Sequence, residues 1–252
     1  MKNVDVDSDE LLAIHTDILR RKPLLNSAFK TFYKDIIRLS DALLTTEGQE
    51  IELGSGSGFF NTIRSDLITS DVKKSPNIDI QLDAQNMSLE DDSLRAIYAI
   101  NVFHHLQNPQ KFFSELIRVL KSGGGCILIE PHAGFFSSLV HKNIHSDEHF
   151  DKEAKGWKTT GITGPLSGAN QALAHIVFER DLEVFEKTYG KELEVIHKEY
   201  ELNSFRYIFS GGLNFRQLLP TFLNKPLTFI EWLLSPLAKY WSLHQIIVIR
   251  KI

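Results

Sequence analysis

The chain has 252 residues, 42% hydrophobic and 24% charged, which supplies the core of one sizeable domain and excludes an unfolded chain. A formal net charge of −4 gives no electrostatic footprint for nucleic acid. Cys126 is the only cysteine, so neither an intrachain disulfide nor a cysteine-based zinc site can form, in keeping with a reducing, cytoplasmic setting. Residues 1–10 are acidic and polar, unlike a secretory signal. No uncharged apolar run reaches the ~18 residues that a membrane-spanning helix needs.

The apolar groups Leu11, Leu12, Ile14, Ile18 and Leu19 predict a first helix that ends near Arg20-Arg21-Lys22-Pro23. Phe29, Phe32, Tyr33, Ile36, Ile37 and Leu39 keep one face apolar and predict a second helix over 24–44. From Gln49 the texture becomes strand, turn, helix, repeated. Strands are predicted over 49–53, 67–70 ending at Asp71, 78–82 ending at Asp83, and 96–100 ending at Asn101. A helical start is expected over 59–65. Asn108 as cap, Pro109 in the first turn and the stripe Phe112, Phe113, Leu116, Ile117, Leu120 predict a helix that Gly123 stops. A further strand over 126–129 ends at Glu130. A helix over 175–189, a strand over 193–200 and a last apolar strand over 244–252 follow.

Strands spaced by helices argue for a parallel sheet covered on both faces. Ligands of such sheets sit beyond the carboxyl ends of the strands, where Gly54, Asp71, Asp83, Asn101 and Glu130 accumulate. Glycines 54, 56 and 58 follow the first strand as G-x-G-x-G, a turn that lets a ligand approach the backbone. The dinucleotide fingerprint G-x-G-x-x-G requires glycine at 59, where this chain has Phe59. That departure weighs against a nicotinamide-dependent oxidoreductase. A non-catalytic module that binds a nucleoside through the same turn is the other alternative.

The run Glu52-Leu53-Gly54-Ser55-Gly56-Ser57-Gly58, then Asp71, Leu82-Asp83-Ala84, Asn101-Val102-Phe103-His104-His105-Leu106 and Val119-Leu120-Lys121-Ser122-Gly123-Gly124 resembles the class I S-adenosylmethionine-dependent methyltransferases, in particular their type 11 small-molecule branch. The resemblance covers about residues 49–131. It implies an α/β fold, a Rossmann-like doubly wound seven-stranded sheet whose last strand is antiparallel. Residues 1–252 would form a single domain: N-terminal helices over 1–46, a cofactor-binding core over 47–131, and inserted substrate-recognition or cap segments over 132–180 and 203–242.

The implied cofactor is S-adenosylmethionine. Gly54, Ser55, Gly56 and Gly58 would lie along its methionine and ribose portions, and Glu52 would order the turn or hold the ammonium group. Asp71 and the adjoining Val72 would meet the ribose, Asp83 and Ala84 the adenine, and Asn101 the amino-acid end. The implied acceptor is a small molecule, including a lipid- or sugar-linked metabolite.

If the acceptor is a hydroxyl, a general base assists transfer, and His105, His132 and His141 are the candidates. His141, His145 and His149 recur every four residues, a spacing that a helix would stack on one face and that can bind a transition metal. The expectation is a polar helix lining or covering the substrate pocket, with no metal. Residues 161–170 are rich in turn formers and predict a loop. Residues 205–241 carry nine aromatic side chains in short pieces broken by Pro220, Pro226 and Pro236, with Glu231 interrupting the longest apolar run. This segment is expected to be an ordinary packed cap; the alternative is an amphipathic cap that receives a lipid-like or aromatic acceptor or rests on a membrane surface.

Overall fold

The computed structural model describes residues 17–56, 58–143, 149–159, 170–213 and 215–252, with only the backbone for 141–143. The first expected helix therefore lies mostly outside the described residues, as do His145 and the loop over 161–169. Helix α1, Pro23–Leu43, starts on a proline whose fixed φ and missing N–H suit the first turn. Its face Leu25, Ala28, Phe32, Tyr33, Ile36 and Leu39 is buried, the last four against the sheet. Each of the larger side chains contributes about 1.5–3 kcal/mol by leaving water.

Seven strands form one sheet: β1 Gln49–Leu53, β2 Ile68–Asp71, β3 Ile80–Gln81, β4 Leu94–Ile100, β5 Leu120–Pro131, β6 Leu193–Tyr200 and β7 His244–Lys251. Their order is β3-β2-β1-β4-β5-β7-β6. The pairs β1–β2, β1–β4, β2–β3 and β4–β5 are parallel, whereas β7 runs antiparallel to both β5 and β6. The order reverses between β1 and β4, which opens a crevice at their carboxyl ends. The carboxyl end of β6 and the amino end of β7 reach the same rim.

One core lies between the sheet and α1, with Phe32, Ile36, Tyr98, Ile127 and Val248 among its members. The other packs the opposite sheet face against α2, Pro109–Val119, through Phe112, Phe113 and Leu116. At the amino ends of the strands, Arg95 holds α1 to the sheet. Its Nε donates to Thr46 O at 2.9 Å, its Nη1 to Ser40 Oγ at 2.7 Å, and it pairs with Glu50. Arg64 Nε meets the second oxygen of Glu50 at 2.8 Å. A surface hollow lined by Gln49, Glu50, Arg64 and Arg95 sits at this end, opposite the crevice.

Four local expectations are corrected. Residues 59–65 form only a 3-10 turn, Phe60–Thr62, because Phe60 is drawn under Tyr33 (ring centroids 4.2 Å apart) and the chain returns to β2 within a short span. Helix α2 stops at Val119 rather than at Gly123: Leu120 is already extended, and 121–125 join β5, where Gly123 adopts φ +78 against Thr45. Asn108 holds the cap position, but its side chain makes no capping bond. The helix expected over 175–189 is split. A turn at Leu173–His175 runs into a π segment, Ile176–Arg180, and Asp181 then breaks the chain before Leu182–Tyr189.

Candidate functional site

The crevice is floored by the turn after β1. Gly54, Gly56 and Gly58 all have positive φ (65, 47 and 63°), which glycine adopts without steric cost. A Cβ on Gly54 would lie 2.4 Å from Val102 Cγ2, and one on Gly58 2.4 Å from Asn77 O, so the cradle fits bare backbone only. Ser55 stitches the turn to β2: its N–H donates to Ser70 O at 2.8 Å, and its Oγ accepts from Ser70 N at 3.1 Å. Its hydroxyl is thus a tie within the turn. Asp71 ends β2 and is buried; one oxygen accepts from Gly56 N at 3.1 Å and the other from Lys73 N at 3.0 Å. A carboxylate has about four acceptor positions, so capacity for a diol remains.

Glu52 lies beneath this turn, fully enclosed. Burial pushes its carboxyl up to about 7, hydrogen bonds from Ser55 and Tyr33 pull it down, and the charge of Asp71 pushes it up again. Its Oε2 has no hydrogen-bond partner among the described residues. Burial also raises the Tyr33 hydroxyl well above its usual range, and Glu52 adds to the rise. Asn101, at the end of β4, has φ 56°, a left-handed conformation uncommon for a side-chain-bearing residue, and its buried Oδ1 is likewise without a partner. Val72 is partly exposed and Ala84 buried, while Asp83 caps its own turn by accepting from Gln85 N at 2.8 Å.

Two orphaned polar atoms and a cradle that only glycine fills fit the donor implied by the sequence. The ten residues expected around the cofactor all fall on the carboxyl rim of β1, β2, β3 and β4.

The histidines separate. Glu130, buried at the end of β5, accepts from the backbone N–H groups of Val102 at 2.9 Å and Phe103 at 2.7 Å, and it contacts His104 Nδ1 at 2.6 Å. His104 therefore anchors the turn after β4. The half-buried His105 packs on its ring, centroids 4.2 Å apart. His132 directly follows β5 and is 5% exposed. Its N–H donates to Leu243 O at 2.7 Å, and its Nε2 lies 3.1 Å from Lys239 O. Its Nδ1 is buried without a partner, and its ring rests on Tyr200, centroids 4.7 Å apart. Burial lowers its proton affinity below the ordinary value, against smaller contributions from the Lys239 carbonyl and Glu179.

His141 lies in helix α3, Phe135–Asn143, and its side chain is outside the described residues. His149 is not part of that helix; it pairs with Asn170 in an isolated bridge, so the stacked histidine face does not extend to it. Among the described residues no group of three or more His, Cys, Asp or Glu side chains converges as for a metal. Tyr33, Tyr200 and the pair His175–Glu179 (2.9 Å) border these groups and were not singled out in the sequence. Tyr33 reads there as part of an apolar helical stripe, and only the spacing i, i+4 could have signalled the pair.

The family model described as a methyltransferase domain matches residues 51–128, from β1 into β5. No curated protein matches the chain. Among solved structures, an S-adenosylmethionine-dependent methyltransferase from Thermotoga maritima superposes with a TM-score of 0.51 at 12% identity, over 96% of this chain and 99% of that one. A geranyl diphosphate C-methyltransferase from Streptomyces coelicolor gives 0.49 at 10% identity, over 86% and 78%. A methyltransferase from Aquifex aeolicus gives 0.44 at 14%, over 87% and 89%. The matched stretch contains the glycine turn, Asp71, Asp83 and Asn101. The chain thus carries a methyltransferase domain over residues 51–128, on the fold of a solved S-adenosylmethionine-dependent methyltransferase.

Proposed function

We propose that the protein methylates a small-molecule acceptor, of the lipid- or sugar-linked kind, and that His132 takes the proton the acceptor gives up. In this reading Glu52 and Asn101 hold the amino-acid end of the donor, Asp71 with Val72 its ribose, and Asp83 with Ala84 its adenine. The segments 132–180 and 203–242 close over the acceptor. When bound, the donor supplies a methyl group on a sulfonium. What the chain supplies is position and a place for the proton.

The observation that carries the role of His132 is its hydrogen bonding. A carbonyl oxygen can only accept, so Nε2 beside Lys239 O bears the hydrogen and Nδ1 bears the lone pair. That lone pair is buried and unpartnered, and burial keeps the ring neutral, which is the form a base requires. By strand spacing, two strands at ~4.8 Å each put the end of β5 roughly 10 Å from the end of β1, a distance a bound donor can bridge. His105 is the weaker choice, since its neighbour His104 is committed to Glu130 and the two rings are packed together.

Calorimetry with S-adenosylmethionine and with NAD tests the donor assignment. Binding of the first and not the second is expected, and Asp71→Ala and Gly56→Val should each abolish it. Donor binding that neither substitution disturbs would sink the assignment. Label from a methyl-tagged donor should then appear in the organic extract of an incubation with total cellular small molecules and lipids.

A further inference from the structure

Between Leu202 and Leu243 the chain has one acidic residue, Glu231, and four cations, Arg206, Arg216, Lys225 and Lys239. The structure sorts these charges unequally. Glu231 and Arg206 face inward and are buried together, Nε to Oε2 at 2.6 Å, while the other three cations are exposed. The surface of this segment thus carries positive charge only, on a protein whose net charge is −4.

Helix α4, Asn224–Leu233, is built inside out. Its buried positions are Leu227 and Glu231, one turn apart, and its exposed ones include Phe229, Ile230, Trp232 and Leu233. The inward carboxylate is locked by Arg206, whose backbone N–H reaches Oε1 at 2.9 Å and whose Nη1 reaches Ser27 Oγ at 3.0 Å on α1. The aromatic face is thereby held toward solvent on a rigid mount. Phe222, 77% exposed, precedes it, and Leu237 and Tyr240, just over half exposed, follow it. Lys239 Nζ stands 4.8 Å above the Tyr240 ring. Monomeric proteins rarely expose contiguous apolar area of this kind without a partner for it.

We propose that this surface seats the protein on an anionic lipid bilayer. Tryptophan and tyrosine beside lysine suit the boundary between headgroups and acyl chains. A short helix with an apolar outer face lies in that plane, and unopposed cations meet a negative surface. No described helix is long and apolar enough to cross a membrane, so the contact is peripheral. The assignment goes beyond methyl transfer and depends on neither the donor nor His132.

The test is partition of the full chain onto phosphatidylcholine vesicles with and without phosphatidylglycerol, followed by sedimentation and tryptophan emission. Trp157 and Trp241 are buried and Trp232 exposed, so a blue shift reports Trp232 entering lipid. Binding is expected only with the anionic lipid, and it should weaken with salt, which screens charge beyond ~10 Å at 0.1 M. Phe229→Asp with Trp232→Asp should lower partition by about tenfold per side chain. Arg216→Glu with Lys225→Glu should remove the preference for anionic lipid.

Donor binding by the same variants, read by calorimetry, should stay unchanged and so reports that they fold. The proposal is overturned by partition that these substitutions leave intact, by equal binding to neutral vesicles, or by no binding. A lipid-free dimer that the Asp variants dissolve would overturn it too, since a second copy would then cover the face.

Discussion

At the scale of single residues, the chemistry turns on which side chains the fold leaves without partners. His132 spends one nitrogen on Lys239 O and leaves the other buried without a partner among the described residues. Its ring protons, followed by NMR against pH, should titrate below the ordinary 6.5 because burial disfavours the imidazolium. His132→Asn should lower turnover by about 10²–10⁴-fold while leaving donor affinity intact. A loss confined to donor affinity would remove His132 from the proton path. The position of His132 is legible in the sequence as a histidine placed directly after a strand. Its tautomer is not, because Lys239 lies more than a hundred residues away. Glu52 is similar: the motif marks it, but Tyr33 belongs to a helical stripe that reads as packing alone, and its hydroxyl acquires meaning only when α1 lies across β1.

At the scale of elements, the sequence is clearest where periodicity and punctuation agree. The strands ending at Asp71 and Asn101, the helix from Pro109 and the last strand all form where their patterns put them. It is weakest in residues 205–241, where Glu231 reads as a polar break in an apolar run and proves to be an interior anchor. Periodicity there points the wrong way, because the apolar face is turned outward and the carboxylate inward. The buried pair costs desolvation at both ends, and burial raises the Glu231 carboxyl against the pull of Arg206. Removing one partner is therefore more damaging than removing both. Arg206→Met should destabilise the protein by about 3–5 kcal/mol in chemical denaturation, and adding Glu231→Leu should restore most of it. Additive losses would mean that each group is held by contacts other than its partner.

At the scale of the whole molecule, several carboxyls are buried without adequate compensation, which couples folding to pH. Glu52 is pushed up to about 7, and Glu201, enclosed with both oxygens unpartnered among the described residues, is raised well above the usual range by burial and by the charges of Asp35 and Glu199. A raised carboxyl means that the native state holds more protons than the unfolded chain. Its contribution is complete below about 4.5 and is lost as pH rises through the folded value. For Glu52 that loss amounts to about 3 kcal/mol between pH 4.5 and 7, and denaturation curves of Glu52→Gln should lack it. The donor reverses the sense. Its ammonium needs the ionised form, so affinity in the native protein should fall about tenfold per pH unit below 7, while Glu52→Gln binds more weakly with no such slope. Calorimetry across that range decides whether Glu52 meets the cation or only supports the turn. A pH-independent affinity in the native chain would assign it to support.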